Sequence, residues 1–188
     1  MNGNSLLLII ILAIAALTIF GYFISVFNNF IRLRNDVNKA WANIDVLLKQ
    51  RSAELPKLLS AVKGYMKHEK SLLTELAESR KSLMASHSIK EKVDLDSKIS
   101  SSLKQLFALA ENYPKLMASQ NFVKLQERIS GLENELTDRR EFYNECVNNF
   151  NICLQSFPDF IIGKIMGLKK KALFEVNEED KKDIKIKF

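Results

Sequence analysis

Residues 6–27 read LLLIIILAIAALTIFGYFISVF, an uninterrupted run of 22 residues without a charged side chain. At about 1.5 Å per residue, a helix of this length extends roughly 33 Å, which is enough to cross a hydrocarbon core of about 30 Å. Tyr22 and Phe27 stand near the end of the run, where aromatic side chains favour the membrane–water interface. The run therefore predicts one transmembrane helix near the N-terminus.

A cleaved signal peptide is the alternative for the same segment. Such a peptide needs a basic region ahead of a shorter apolar run, whereas no Lys or Arg precedes residue 6. An uncleaved single-pass anchor is therefore expected. Arg32, Arg34 and Lys39 follow the run, so the positive-inside rule predicts a short N-terminus outside the cell and the rest of the chain in the cytoplasm.

The rest of the chain is strongly polar. All 28 basic and 22 acidic residues of the 188-residue chain lie after residue 31, and the formal net charge is +6. Six glycines and three prolines are few for this length, which argues against a turn-rich β-sandwich or barrel and against a low-complexity disordered chain. Two cysteines are too few for a disulfide scaffold. We therefore expect a fold built from long helices.

The clearest helical pattern lies in the second half of the chain. Apolar residues there recur in alternating steps of three and four, a seam that is typical of packed helices in a bundle. The seam runs through Phe122, Leu125, Ile129, Leu132, Leu136, Arg139, Tyr143, Cys146, Phe150, Cys153 and Phe157. Arg139 is its one charged member, and we expect it to pair with Glu69 across the bundle.

Two more seams precede this one. The first runs through Phe30, Leu33, Val37, Ala40, Ile44 and Leu47 and resumes, one residue out of phase, at Leu55, Leu58, Val62, Tyr65, Glu69, Leu72, Leu76, Ser79 and Leu83. Because the shift lies beside Pro56, and proline removes a helix hydrogen bond, we expect a kink or short break there. The next seam, at residues 99–113, lies between a capping-box pattern at Ser88 and Glu91 and a helix-ending Pro114.

These patterns predict an all-α fold. A single transmembrane helix is followed by an antiparallel up-down bundle of three long helices, or four if the break at Pro56 is counted, because the connections between seams are short. The expected divisions are residues 1–27 for the short tail and transmembrane helix, 28–158 for the bundle, and 159–188 for an apolar and basic C-terminal segment and tail.

The C-terminal segment begins with FPDFIIGKIMGL at residues 157–168, which is too short to cross a bilayer, and Lys169, Lys170 and Lys171 follow it. One interpretation is a segment folded back over an end of the bundle. The other is a short interfacial foot, with apolar side chains in the headgroup region and lysines on anionic lipid. The sequence leaves both interpretations open.

No arrangement of residues in the sequence points to catalysis. His68 and Glu69 begin a metalloprotease-like motif, but Leu72 stands where the second histidine is required. Cys146 and Cys153 lie two helical turns apart in the seam, beyond disulfide reach, so core packing is expected of them. We predict no catalytic residue, no cofactor, no metal site and no small-molecule substrate. The basic excess is densest beside the membrane, which suits lipid headgroups and leaves no reason to expect a nucleic-acid partner.

A larger set of residues resembles the LemA family, in order and in spacing, over essentially the whole chain. The matching residues are NDVNKAWANIDV at 35–46, LKQR at 48–51, LP at 55–56, VKGY at 62–65, HE at 68–69, AENYP at 110–114, NF at 121–122, LQ at 125–126, Arg140, FYN at 142–144, Val147, Asn149, Asn151 and FP at 157–158. Leu47, Gln50 and Lys57 depart from the family pattern. The resemblance implies a bacterial single-pass membrane protein with an up-down helical bundle and no established enzymatic activity, and some relatives are associated with magnetosome membranes.

The leading functional prediction is a non-enzymatic, membrane-anchored scaffold that binds a partner protein or a second copy of itself, or that organises the cell membrane. The alternative is a regulatory accessory subunit of a membrane enzyme or signalling system. The candidate partner surface is a set of polar side chains just beyond the membrane: Asn35, Asn43, Asp45, Lys49 and Arg51. Trp41 is expected to be a packing residue, and Gly64 a point of close approach.

Overall fold

The computed structural model describes residues 3–174. Within that range the chain forms six α-helices and no strand, so the predicted all-α class is confirmed. The helices are α1 (Gly3–Val62), α2 (Lys70–Ala85), α3 (Ile89–Ala110), α4 (Pro114–Met117), α5 (Gln120–Gln155) and α6 (Asp159–Ile165). The part of the predicted C-terminal segment after residue 174 lies outside the described residues.

Helix α1 contains the apolar run. Its most apolar 18-residue window has a mean hydropathy of 2.8 and is not buried by protein, so one of the described helices is long and apolar enough to cross a bilayer. Leu17 is 70% exposed and Ile19 69% exposed, a degree of apolar exposure that suits lipid and not water. The helix continues without interruption past residue 27. The predicted domain boundaries at residues 27 and 158 stay predictions.

The described residues form two compact units, of which the first comprises residues 3–41 with Phe142–Leu173. In this unit α1 and the end of α5 pack in antiparallel directions. Phe30 meets the ring of Phe150 edge-on with centroids 6.3 Å apart, and Trp41 meets Tyr143 edge-on at 5.8 Å. Trp41 is therefore a packing residue, as predicted.

The second unit comprises residues 42–141 with Phe174. Here α2 and α3 are joined by three residues and pack against each other. Side-chain pairs show that α5 runs antiparallel to both α1 and α3, while α1 and α3 run parallel. The pairs that join α1 to α5 are Arg51–Glu133 and Glu54–Arg128, and those that join α3 to α5 are Ser100–Glu133 and Phe107–Phe122. The pairs that join α1 to α3 are Asp45–Lys92 and Arg51–Ser100. The predicted up-down arrangement is confirmed within this unit.

Of the kink or short break expected at Pro56, the break is not present, and the kink stays a prediction. Helix α1 passes through Pro56 and ends at Val62, and the turn that separates it from α2 occupies residues 63–69. Proline cannot donate a hydrogen bond to the carbonyl four residues earlier, which belongs to Ser52. Arg80 of α2 supplies the missing donor, since its Nε lies 2.7 Å from the Ser52 carbonyl oxygen. Because that carbonyl is satisfied from outside the helix, the helix continues through the proline.

The phase shift in the first seam comes from Arg51 and not from a change of helix. Arg51 is fully buried, although it is charged. With Leu48 and Arg51 included, the buried positions 44, 48, 51, 55, 58 and 62 alternate steps of four and three without interruption. A seam defined by apolar residues alone omits Arg51 and therefore looks displaced beside it.

Two local expectations are revised. Helix α3 begins directly after Ser88, as the capping pattern predicts, but Ser88 makes no side-chain capping bond. The Ser86 hydroxyl instead donates to Glu91 Oε2 at 2.7 Å and accepts from the backbone N–H of Ser88 at 3.3 Å. Gly64 is not a point of close approach, because a side-chain carbon added there would have no neighbour within 4 Å.

Candidate functional site

The predicted partner surface divides between exposed and buried positions. Asn35 in the first unit and Asn43 in the second are exposed. Lys49 is exposed and lies 2.7 Å from partly buried Asp45, whose other carboxylate oxygen contacts Lys92 of α3. Burial raises the pKa of Asp45, but the two ammonium groups outweigh it and hold the pKa below its usual value. Partner binding by Asn35, Asn43, Asp45 and Lys49 stays a prediction.

Arg51, the fifth residue of that predicted surface, lies in the interior of the second unit. Its side chain has no exposed area and forms ion pairs with Asp96 of α3 and Glu133 of α5. A guanidinium enclosed by two carboxylates cannot contact another protein unless the helices separate. Arg51 therefore does not form part of an exposed surface, and the expectation that it contacts a partner directly is corrected.

Arg51 belongs to a buried charge cluster with Asp96, Ser100, Glu133 and Arg140. Asp96 is fully buried and also accepts a hydrogen bond from Arg140. Glu133 accepts a hydrogen bond from the Ser100 hydroxyl at 2.7 Å and lies 3.6 Å from Nη1 of Arg140. Two guanidinium groups thus face two carboxylates, so the formal charges of the cluster balance. A charge-balanced network of this kind holds helices together and has no net formal charge to offer a ligand.

The charges of the cluster determine the ionisation of Glu133. Burial raises the pKa of Glu133, whereas the positive charge of Arg51, the hydrogen bond from Ser100 and the positive charge of Arg140 lower it. The lowering effects are larger together, and the pKa of Glu133 lies below its usual value. Glu133 is therefore ionised at neutral pH, as its pairing with two guanidinium groups requires.

Arg139 does not occupy the interior position that the seam predicts. Its side chain is 46% exposed and lies 3.7 Å from Glu135 on the same helix. The neighbouring Arg140 takes the inward position and pairs with Asp96. The expected pair between Arg139 and Glu69 is therefore wrong. The seam takes a step of four residues here, from Leu136 to Arg140, and an apolar pattern alone does not distinguish a step of four residues from a step of three.

The two cysteines lie in packed surroundings. Cys146 is buried, Cys153 is partly buried, and both are free thiols. Burial is the main cause that raises the pKa of both thiols, and nearby carboxylates add to it. A raised thiol pKa disfavours the thiolate, which is the form that attacks substrates and binds metals. This environment is typical of core residues and not of nucleophiles.

A surface groove in the second unit is the best candidate for partner binding. It lies where α1 ends and α2 begins, and its volume is about 960 Å³. Its apolar lining comes from Leu59, Met66, Leu73 and Ala77. Met66 is fully buried, while Leu59 and Leu73 are partly exposed. A concave, mostly apolar surface of this size is typical of binding sites.

Positive charge surrounds this groove, which we name the lysine groove. Four exposed lysines line it, Lys63, Lys67, Lys70 and Lys81, against a single carboxylate from Glu78. Within residues 3–174, no carboxylate forms an ion pair with any of the four lysines. The lysine groove therefore combines an apolar floor with positive side chains at its rim that have no acidic ion-pair partner in the described part of the chain.

The seam through residues 55–83 does not predict the lysine groove. A single helix through residues 55–83 would have no corner and therefore no concave surface at this place. The available signal in the sequence is KGYMKHEK at residues 63–70, which combines a glycine with three lysines. Glycine disfavours a continuing helix, so such a segment indicates an exposed basic turn.

Comparisons with known proteins show that this chain is similar to the LemA family and to magnetosome proteins. The model of the LemA family matches residues 40–188. Protein LemA of Metamycoplasma hominis is 28% identical over 158 residues, which cover 84% of this chain and 72% of that protein. Magnetosome protein MamQ of Magnetospirillum gryphiswaldense is 19% identical over 194 residues, which cover 88% of this chain and 71% of that protein.

A second magnetosome protein is also similar to this chain. Magnetosome protein MamQ 1 of Paramagnetospirillum magneticum is 19% identical over 175 residues, which cover 79% of this chain and 64% of that protein. The family match includes the end of α1, the buried charge cluster and the lysine groove. On the strength of that match, which spans most of its length, the chain belongs to the LemA family.

Proposed function

We propose that this protein is a membrane-anchored, non-enzymatic scaffold that binds an acidic amphipathic helix of a partner protein in the lysine groove. One observation carries the proposal: an apolar groove is lined by four exposed lysines that have no carboxylate partner among the described residues. The charged groups of the buried cluster are held in ion pairs and the two cysteines are packed, and neither arrangement is suited to catalysis.

Membrane anchoring is supported by the exposed apolar part of α1. The names of two relatives refer to the magnetosome, which is consistent with a role at a membrane. The proposed orientation has a short N-terminus outside and the helical part in the cytoplasm of a bacterial cell. Its support is the basic side chains of Arg32, Arg34 and Lys39, which follow the apolar run and favour the cytoplasmic side.

The chemistry of the lysine groove favours a helical, acidic ligand. An amphipathic helix can lay one apolar face into a groove through side chains spaced at i, i+3 or i+4, and i+7. Carboxylates on the flanks of such a helix would meet Lys63, Lys67, Lys70 and Lys81. Complementary charges at a rim accelerate association and exclude partners of the wrong charge more than they add affinity. Binding should therefore weaken as the salt concentration rises.

Photo-crosslinking in native membranes tests this proposal. A photoreactive amino acid replaces Leu73, which lines the lysine groove. The matched control carries it at Val46, an aliphatic residue of the same unit that is 52% exposed and lies outside the groove. Crosslinks through Leu73, and not through Val46, should map to an acidic amphipathic segment. A Leu73 crosslink to a segment without acidic residues would contradict the proposed partner chemistry.

Charge reversal then locates the site. The double variant Lys67→Glu/Lys70→Glu should abolish the Leu73 crosslink, and Lys49→Glu should leave it unchanged. If Lys49→Glu abolished the crosslink and the double variant did not, the charge contacts of the partner would belong to the surface that contains Asn43, Asp45 and Lys49. A membrane enzyme or signalling protein as the crosslinked partner would make this chain its accessory subunit, and a second copy of the chain would make it a self-assembling scaffold.

A further inference from the structure

Helix α6 is fixed beside the end of the apolar run. The hydroxyl of Tyr22 donates a hydrogen bond to Oδ1 of Asp159, the first residue of α6. The packing is close at Gly163, where an added side-chain carbon would lie 2.5 Å from Leu154 Cδ1 and 3.2 Å from Phe30 Cζ. The position of α6 against α1 and α5 is therefore determined by contacts within the first unit.

The outer side of this short helix is apolar. Phe157 is 82% exposed, Phe160 42%, Ile161 46% and Ile165 68%, whereas Ile162 is buried against the unit. Four large apolar side chains within nine residues form a patch that water solvates poorly. The patch lies beside the C-terminal end of the apolar run, where the run is expected to meet the membrane surface.

Lysines follow the apolar patch closely. Lys164 is exposed within α6, and Lys169 and Lys170 are exposed just after it. The segment is held in place by Asn151, whose side chain accepts from the backbone N–H of Lys171 at 2.9 Å and donates to its carbonyl at 2.8 Å. Apolar and cationic side chains are thus presented together on an anchored segment.

We propose that residues 157–170 form an interfacial foot, which inserts its apolar side chains into the bilayer surface and places its lysines on anionic lipid headgroups. Tyr22 lies five residues before the end of the apolar run, or roughly 7.5 Å along the helix axis. Interfacial helices insert about 5–10 Å into the headgroup and acyl boundary, so the Tyr22–Asp159 bond holds α6 at the matching depth. The inference rests on the membrane anchoring proposed above.

Depth-dependent fluorescence quenching tests the foot. The full chain, carrying Trp41→Phe so that one introduced tryptophan reports alone, is reconstituted into nanodiscs of phosphatidylcholine and phosphatidylglycerol with brominated acyl chains. Phe160→Trp is the test variant. Phe142→Trp is the matched control, since Phe142 is an exposed phenylalanine of the same unit, at 47%, level with Trp41 and distant from the run. Phe23→Trp, inside the run, reports the anchor.

The expected result is strong quenching at positions 160 and 23 and none at 142. Quenching at 23 without quenching at 160 would overturn the foot and leave the anchor intact, and the apolar patch would then be a protein contact. No quenching at 23 would overturn the anchor and the foot together.

The lysines have a separate readout. When bromine is carried on phosphatidylglycerol alone, quenching of Phe160→Trp should exceed the level set by the mole fraction of that lipid, because lysines gather anionic headgroups. The triple variant Lys164→Gln/Lys169→Gln/Lys170→Gln should lose this excess entirely. An excess that is equal with and without the three lysines would overturn their assigned role.

Discussion

Replacement of Arg51 by leucine should strongly destabilise the second unit. Arg51 is one of two guanidinium groups that neutralise Asp96 and Glu133. Without it, Asp96 retains Arg140 alone, and Glu133 lies 3.6 Å from the same guanidinium. Asp96 is fully buried, so water cannot replace the lost partner. The leucine would therefore leave excess negative charge in the interior.

The magnitude follows from that burial. Removal of one member of a buried ion pair costs about 3–5 kcal/mol, because the remaining charge is left uncompensated. The free energy of unfolding of a typical domain is about 5–15 kcal/mol, so the loss is a large fraction of it. For chains of 150–250 residues, 1 kcal/mol corresponds to about 2–4 °C in Tm. The expected decrease in Tm is therefore roughly 6–20 °C.

Thermal unfolding of the full chain in detergent micelles, followed by helical circular dichroism, measures this decrease. Arg139→Leu is the matched control, because Arg139 is 46% exposed and, within residues 3–174, its ion pair is with an exposed glutamate on its own helix. Exposed pairs contribute about 0–1 kcal/mol, so the control should differ little from the parent. Equal Tm values for Arg51→Leu and Arg139→Leu would refute the stabilising role of the cluster. Adding Asp96→Asn to Arg51→Leu should recover part of the loss if stranded charge is its cause.

Three further predictions concern the same helices. Acid should destabilise the second unit below about pH 4.3, the usual glutamate pKa. The pKa of Glu133 is lowered on folding, so its contribution to stability is lost as the pH falls through the folded-state pKa. Glu133→Gln should therefore flatten the dependence of Tm on pH in that range. Arg80→Met should lower the free energy of unfolding by roughly 1.5–3 kcal/mol, because a charged donor to the Ser52 carbonyl is lost. The loss should be smaller in a Pro56→Ala background, where the alanine N–H can donate to that carbonyl instead. Equal losses in the two backgrounds, measured by denaturant titration, would contradict this account. Gly131→Ala should raise stability by about 0.5–1 kcal/mol in the open middle of α5, whereas Gly163→Ala should lower it, because the added carbon meets two side chains at 2.5 and 3.2 Å; the reverse order of Tm values would argue against close packing of α6.

Apolar periodicity predicts most of the helical architecture. Phe30, Ile44 and Leu58 of α1 and Phe122 and Leu136 of α5 are seam residues that are fully or almost fully buried. The uncharged run likewise predicts an exposed apolar helix, because its length and composition match a bilayer. These features depend on residues that are close in sequence, so local patterns are sufficient for them.

The charged interior could not be predicted in the same way. Arg51 is a stable core residue only because Asp96 and Glu133 neutralise it, and these lie 45 and 82 residues further along the chain. Sequence spacing gives no measure of such distant pairing, so a charged residue is assigned to the surface by default. Sequence reasoning places Arg51 on the candidate surface for this reason, and the apolar seam breaks at the same residue.

The lysine groove depends on a second distant contact. Pro56 is the strongest helix breaker in its neighbourhood, and a local argument places the corner there. Arg80, which lies 28 residues after Ser52, donates to the Ser52 carbonyl and allows α1 to continue to Val62. The corner therefore falls at residues 63–69, where Lys63, Met66 and Lys67 become part of a concave surface.

The buried charge cluster has a consequence for how this bundle can evolve. An apolar seam residue can be exchanged for another one at a time, because each replacement changes only volume and shape. Arg51 and Asp96 are different, since loss of either one leaves the other with an uncompensated charge. A change at one of the two positions is therefore costly until the other also changes. We expect substitutions in this cluster to occur as coupled pairs that remove one arginine and one carboxylate together.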